Sequence, residues 1–101
     1  MSIVVFAKVL YIFNMDIRIV CKKSAFKHGV TEDDIKWAFS TAKYDSLMEG
    51  FANKYLLIGF NTHVNLIEVM YSDLGENVAS VFHAMKCRTA LISMLPHRRN
   101  L

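Results

Sequence analysis

The sequence predicts an α+β domain in which an antiparallel sheet of four to five strands carries two N-terminal helices and one C-terminal helix. Three observations lead to this prediction. The chain has 101 residues, which is the size of one domain. Its first half contains apolar residues at helical spacing, and its second half contains strand-like apolar runs joined by short turns. Such strands pair antiparallel, and helices cover one face of the resulting sheet.

The first half of this domain is predicted to hold one strand and two helices. Residues 16–21 alternate between apolar and polar side chains, which is typical of a strand. Residues 24–29 predict a short helical turn that ends at Gly29 in a left-handed conformation. Thr31 is a good N-cap for the second helix, and Asp34 completes a short capping box. The predicted buried stripe of that helix is Ile35, Ala38, Phe39 and Ala42.

The second half is predicted to hold the rest of the sheet and the last helix. Residues 44–49 favour a strand or an extended link, and 54–60, 66–72 and 78–84 favour strands. The C-terminal helix is expected to run from about residue 87 to 95, where Pro96 follows its end. Its apolar stripe is Ala90, Leu91, Met94 and Leu95.

Residues 1–14 differ in composition from the remaining chain. They include 11 hydrophobic residues and a single charged one, Lys8. This run is shorter than the roughly 20 apolar residues that a membrane-spanning helix needs. We interpret 1–14 as an apolar extension or an extra strand, and 15–101 as the single domain. We expect a cytoplasmic protein without a membrane partner, in which Cys21 and Cys87 are free thiols.

Charge is divided unevenly along the chain, although the net charge is only +3. Residues 18–28 and 86–99 together hold 8 of the 12 Lys and Arg residues and no acidic residue. Residues 29–85 hold three basic and eight acidic residues. This pattern favours a basic face for a polyanion such as nucleic acid. The alternative is that both basic segments are solvated surfaces that never meet in space.

Few residues are candidates for chemistry, because the usual phosphate-binding, zinc-protease and hydrolase motifs are missing from the sequence. Glu68 is unusual because it lies in an apolar strand, where a charged side chain needs a partner. His83 is expected to share a strand face with Ala79, Val81 and Met85, and His28 follows the first helical turn. Each also has a structural interpretation: an exposed or salt-bridged Glu68, a hydrogen-bonded His83, and a His28 that interacts with helix-end carbonyls.

Three short segments resemble the BrnT-like toxins, in the family's order and spacing, over about residues 16–95. Residues 27–34 (KHGVTEDD) resemble the family's KHG(V/I)(S/T) junction between two helices. Residues 56–59 (LLIG) and 66–69 (LIEV) resemble its LLIG…LLEV strand pair, and 81–88 (VFHAMKCR) is similar to its IHAMPAR segment. This chain departs from the pattern at Lys86, where the family has Pro, and at Cys87, where it has Ala.

The resemblance implies a RelE-like fold and a type II toxin, a small endoribonuclease that needs no metal or cofactor and is neutralised by a cognate antitoxin protein. Such cleavage attacks the phosphodiester with the 2′-OH and needs a base, an acid and cations. The candidate catalytic residues are His28, Glu68, His83 and Arg88, and the candidate RNA-binding residues are Lys27, Lys54 and Lys86. Tyr55, Tyr71 and Trp37 are candidates for stacking on bases.

Two other functions are consistent with the sequence. One is a degenerate toxin, a non-catalytic module that binds nucleic acid or protein. The other is a membrane-associated protein built around residues 1–14. A homodimer is compatible with any of these functions.

Overall fold

A computed structural model describes residues 17–95, which form a five-stranded sheet with helical segments. The strands are β1 (Arg18–Cys21), β2 (Tyr44–Leu47), β3 (Lys54–Phe60), β4 (Leu66–Asp73) and β5 (Val78–Lys86). The helices are α1 (Glu32–Ser40) and α2 (Thr89–Ile92), and a 3-10 helix (Lys23–Phe26) precedes α1. The predicted α+β class is therefore confirmed, and the predicted start of β3, β4 and β5 matches the observed start of each strand.

The sheet has the order β1-β5-β4-β3-β2 and is mixed rather than wholly antiparallel. The strands β2 to β5 form the expected antiparallel meander. However, β1 pairs in parallel with the first half of β5, from Arg18 opposite Val78 to Cys21 opposite Val81. The long connection from β1 to β2 contains α1 and crosses the sheet, so β1 lies at the opposite edge from β2.

The helices differ in number and length from the prediction. The first predicted helix is a single 3-10 turn, and Gly29 has the expected positive φ of 83°. In α1, Thr31 and Asp34 form the predicted capping box, while Ala42 is exposed because the helix ends at Ser40. The last helix has only four residues, and none of them is buried, so it does not pack on the sheet as predicted.

The hydrophobic core lies between α1, the 3-10 helix and one face of the sheet. Ile35 and Ala38 of α1 pack there with side chains from the three central strands. Leu57, Ile67, Val69, Val81 and Ala84 are the sheet residues of this core. Gly59 is required for the close approach of α1, since a Cβ atom there would overlap with the carbonyl oxygen of Ala38.

A β-bulge interrupts the pairing of β4 with β5. Met70 lies opposite His83 and Tyr71 lies opposite Val81, so Phe82 has no partner in the register. The extra residue changes which side chains of β5 point toward the core. Val81, before the bulge, is fully buried in the core, and Ala84 rejoins the core after it.

Some sequence predictions fall on residues 1–16 and 96–101, outside the part of the chain that the structure describes. These predictions are the apolar extension or extra strand at 1–14 and the basic residues beyond Pro96. Between residues 17 and 95, no helix is both long and apolar enough to cross a membrane. Cys21 and Cys87 are both free thiols, as predicted.

Candidate active site

Glu68 is the centre of a polar group on the sheet face opposite α1. Its side chain is fully buried, which is rare for a carboxylate, and both oxygens accept hydrogen bonds. Oε2 accepts from Arg88 Nη2 at 2.6 Å and lies 2.8 Å from His83 Nε2. Oε1 accepts from Arg88 Nε at 3.0 Å and from the Arg88 backbone N–H at 3.1 Å. The carboxylate is therefore both paired and hydrogen-bonded, as a buried charge must be.

Arg88 is positioned by the end of β5. The strand ends at Lys86, and the Cys87 backbone N–H then donates to the Leu66 carbonyl at the start of β4. This turn brings the Arg88 backbone and side chain onto the same carboxylate, which is two residues along β4. The guanidinium uses Nε and Nη2 in a bidentate pair, while its side chain stays 54% exposed. Arg88 therefore keeps N–H groups that can reach a ligand.

The electrostatics of this pair favour an ionised Glu68. Burial acts to raise the pKa of the Glu68 carboxyl, but hydrogen bonds from Arg88 and His83 outweigh it and hold the pKa below its ordinary value. The same hydrogen bond and charge raise the pKa of Arg88. Burial, and then the charge of Glu68, raises the pKa of the neighbouring Cys87 thiol, which makes it a poor nucleophile.

His83 and Glu68 point to the same face of the sheet, and the predicted grouping of His83 with Ala79 and Val81 was wrong. Strict alternation places His83 with Ala79 and Val81, but the bulge at Phe82 separates them, and only Met85 of the predicted set shares the face of His83. The side chain is 23% exposed, so the ring contacts a buried carboxylate on one side and remains accessible on the other. The Ser24 hydroxyl donates to the Phe82 carbonyl at 2.7 Å and so ties the 3-10 helix to the bulge.

His28 joins this group from a different part of the chain. The 3-10 helix packs beside the half of β5 that β1 leaves unpaired, and Gly29 turns the chain toward α1. His28 lies between the 3-10 helix and Gly29. Its ring packs edge-to-face against the ring of His83, with 5.6 Å between the two centroids. The structure therefore brings together all four residues predicted as catalytic.

The three lysines predicted to bind RNA occupy different positions. Lys27 is exposed next to His28. Lys86 is exposed at the end of β5, but it lies opposite Ile67 in the register and therefore on the other face from Glu68. Lys54 donates to Ser72 at 3.2 Å and lies over the Phe82 ring. Ser72 is four residues along β4 from Glu68, so the Cα atoms of these two residues are roughly 13 Å apart.

The predicted stacking residues are not close to this group. Tyr55 and Tyr71 stack on each other with 5.3 Å between their centroids, and the Tyr71 hydroxyl donates to Asp45 at 2.7 Å. Tyr71 packs against the core, on the face that α1 covers. Trp37 is 49% exposed on α1. In the described part of the chain, no three His, Cys, Asp or Glu side chains are grouped as a metal site would require.

A solved structure shares the architecture of this chain, although two sequence-based comparisons found no match. No protein-family model matches the chain, and no curated protein matches it. One similar solved structure is the crystal structure of the Brucella abortus ribonuclease toxin BrnT, with a TM-score of 0.51 and 18% sequence identity. The match covers 72% of this chain and 99% of that chain, so the chain has a BrnT-like fold.

Proposed function

We propose that this protein is the toxin of a type II toxin–antitoxin pair and acts as a metal-independent endoribonuclease. The observation that carries the proposal is the convergence of His28, Glu68, His83 and Arg88 at one end of the sheet. These residues offer two imidazoles and an arginine next to a buried anion. The BrnT-like fold and the description of BrnT as a ribonuclease toxin support the same activity. Cellular RNA as substrate implies action in the cytoplasm.

The proposed reaction is attack of a 2′-OH on the adjacent phosphate. The 2′-oxygen bonds to phosphorus, the bond from phosphorus to the 5′-oxygen breaks, and the products carry a 2′,3′-cyclic phosphate and a 5′-OH. A base must take the proton of the 2′-OH, and an acid must protonate the leaving oxygen. Negative charge develops on the phosphate oxygens, so cations near them lower the barrier.

His83 is the proposed base. Glu68 is an anion and accepts at His83 Nε2, so that nitrogen carries a proton. In the neutral ring, Nδ1 then holds the lone pair that can take the 2′ proton. Glu68 was predicted as an acid or base, but its burial and occupied oxygens suit a positioning residue for His83 and Arg88.

His28 and Arg88 have the other two proposed roles. The ring of His28 is beside that of His83 and exposed, so it can protonate the leaving oxygen. The guanidinium of Arg88 is held in place by Glu68, and its remaining N–H groups can bind the phosphate. Lys27 extends this positive charge at the same end, Lys86 would contact RNA at the end of β5, and Lys54 would contact it further along the strand.

The experiment is cleavage of a single-stranded RNA of about 20 nucleotides by the purified full chain. We expect products with 2′,3′-cyclic phosphate ends and no effect of a chelator. His83→Gln and Arg88→Ala should each lower the rate by about 100-fold or more. His63→Gln is the matched control, because His63 is exposed in the β3–β4 turn and does not contact Glu68. Equal rates for His63→Gln and His83→Gln would contradict the assignment.

A non-catalytic binding module is the second candidate, favoured by the two basic segments. Fluorescence anisotropy with the same RNA separates the two functions, since a module of this kind would bind RNA with strong salt dependence and leave it intact. Expression in cells adds a second test. A toxin should arrest growth, and arrest should be relieved by His83→Gln or by co-expression of a small antitoxin encoded in the adjacent reading frame.

A further inference from the structure

A cavity of about 640 Å³ opens next to the candidate active site, at the end of the sheet. Its walls come from the β3–β4 turn, from the link between the 3-10 helix and α1, and from the segment that follows β5. His28 and Lys86 both line it, so one histidine borders the cavity and also contacts His83. The volume lies in the range of small-molecule pockets.

Val64, at the tip of the β3–β4 turn, lines this cavity in a conformation that a valine rarely adopts. Its φ is 66°, and its residue surface is 71% exposed. The turn fixes this conformation, because the Val64 N–H donates to the Asn61 carbonyl and the Asn61 side chain accepts from the backbone of His63 and of Asn65. Glycine or asparagine would take the same φ with less strain. Packing therefore does not explain an exposed, β-branched side chain at this position.

The remaining lining of the cavity combines apolar walls with polar groups. Ile92 and Val64 provide exposed apolar surface, and Asn65 provides an amide. Lys86 places a positive charge at the cavity. The acidic group in the lining is the Asp34 carboxylate, which accepts hydrogen bonds from Thr31 and Thr62. Proteins that read single-stranded RNA hold an unstacked base between apolar or aromatic side chains and hydrogen-bond its edge.

We propose that this cavity binds one unpaired nucleobase of RNA adjacent to the cleaved phosphate, with Lys86 on the neighbouring phosphate. The inference rests on the proposed ribonuclease function. If the protein cleaves RNA at His83, the cavity selects the nucleotide that lies next to the cleaved phosphate. The inference assigns Val64 and Asn65 as specificity residues, neither of which touches the reacting atoms. The contact between Val64 and the base then explains why a valine occupies a position with a positive φ.

The test is an NMR titration of the full chain with each of the four ribonucleoside 3′-monophosphates. We expect saturable shifts of the amide signals of the β3–β4 turn and of Ile92, with one nucleotide preferred and no such shifts from inorganic phosphate. Val64→Asn should weaken binding of the preferred nucleotide by about fivefold, as loss of a buried apolar contact would. The same variant should melt at the same temperature as the wild type or higher. Leu74→Asn is the control, since Leu74 is 60% exposed and lies in the β4–β5 turn, away from the cavity.

The outcomes separate this inference from the proposed function. Nucleotide shifts at the β3–β4 turn in a protein that cleaves no RNA would keep the cavity assignment and reject the ribonuclease. RNA cleavage with unchanged nucleotide affinity and cleavage-site preference in Val64→Asn would reject the cavity assignment alone. Shifts confined to residues around Glu68 and His83, or equal shifts from inorganic phosphate, would also overturn it. If Val64→Asn does not fold, Asn65→Ala provides the same comparison.

Discussion

Replacing Glu68 by glutamine removes the charge at the centre of the polar group and keeps the shape of the side chain. The wild-type carboxylate accepts from Arg88 on both oxygens, through Nε and the backbone N–H at Oε1 and through Nη2 at Oε2. The glutamine amide must place its NH₂ at one of these positions. In either orientation, a donor then faces an Arg88 donor, so at least one hydrogen bond becomes a repulsive contact.

The magnitude follows from these contacts. A hydrogen bond to a charged group contributes about 1.5–3 kcal/mol, and a buried group without a partner costs about 1–3 kcal/mol. We therefore expect Glu68→Gln to lower the free energy of unfolding by about 2–3 kcal/mol. For a domain of this size, that change lowers Tm by roughly 10–20 °C. Glu49→Gln is the control, since Glu49 is exposed in the turn after β2, and its substitution should have almost no effect.

The assay is urea unfolding of the wild type and of Glu68→Gln, monitored by circular dichroism, between pH 7 and pH 3. The pKa of Glu68 is lower in the folded protein than in the unfolded chain. Its contribution to stability is therefore fully present above the unfolded pKa of about 4.3 and is lost as pH falls through the folded pKa. Glutamine does not titrate, so the difference between the two proteins should shrink in acid.

One result would refute this reasoning. If the difference in unfolding free energy between Glu68→Gln and the wild type stayed constant from pH 7 to pH 3, the effect of the substitution would not come from the ionised carboxylate. A fully stable Glu68→Gln protein at pH 7 would likewise show that the pair with Arg88 does not stabilise the fold.

Three further substitutions and modifications test other parts of the structure. Gly59→Ala should destabilise the protein by about 2–4 kcal/mol in urea unfolding, because the new methyl group collides with the Ala38 carbonyl of α1; an unchanged midpoint would contradict that contact. Hydrogen bonds from Thr62, and then from Thr31, lower the pKa of Asp34 to about 2 against the opposing effect of burial. Asp34→Asn should therefore cost about 1–3 kcal/mol at pH 7, and that cost should diminish as pH falls from about 4 to about 2. In a variant whose other cysteine is serine, Cys87 should react with a thiol reagent at pH 8 more slowly than in urea, since burial raises its pKa; equal rates would show that the thiol is accessible.

Local sequence patterns were sufficient for much of the fold. The apolar runs predicted β3, β4 and β5 at the right positions, because each run is long enough to pair and is bounded by turn residues. Thr31 and Asp34 predicted the start of α1, since a capping box depends only on residues within one turn. The predictions of helix length were wrong for two short segments, the 3-10 turn at Lys23–Phe26 and the four-residue α2. In segments this short, tertiary contacts determine the conformation more than local sequence does.

The candidate site was predicted only as a set of residue types. Sequence reasoning identified Glu68 as a charge in an apolar strand, but it did not predict the partner that satisfies this charge. Arg88 is 20 residues away, and the pairing requires the turn at the end of β5. Ser24 was not predicted to hold the bulge, and Val64 was not predicted to take positive φ, because neither residue type has a local signal for these roles.

The sequence by itself determined the α+β class, the antiparallel meander and the chemical groups available, because these depend on local periodicity, turn residues and composition. The tertiary structure decided two further features: the parallel pairing of β1 with β5 and the bulge at Phe82. Side chains along a strand alternate between the two faces, so the single extra residue at Phe82 places His83 on the face of Glu68 and not on the face of Ala79 and Val81. That one residue brings a histidine, a buried carboxylate and an arginine into contact.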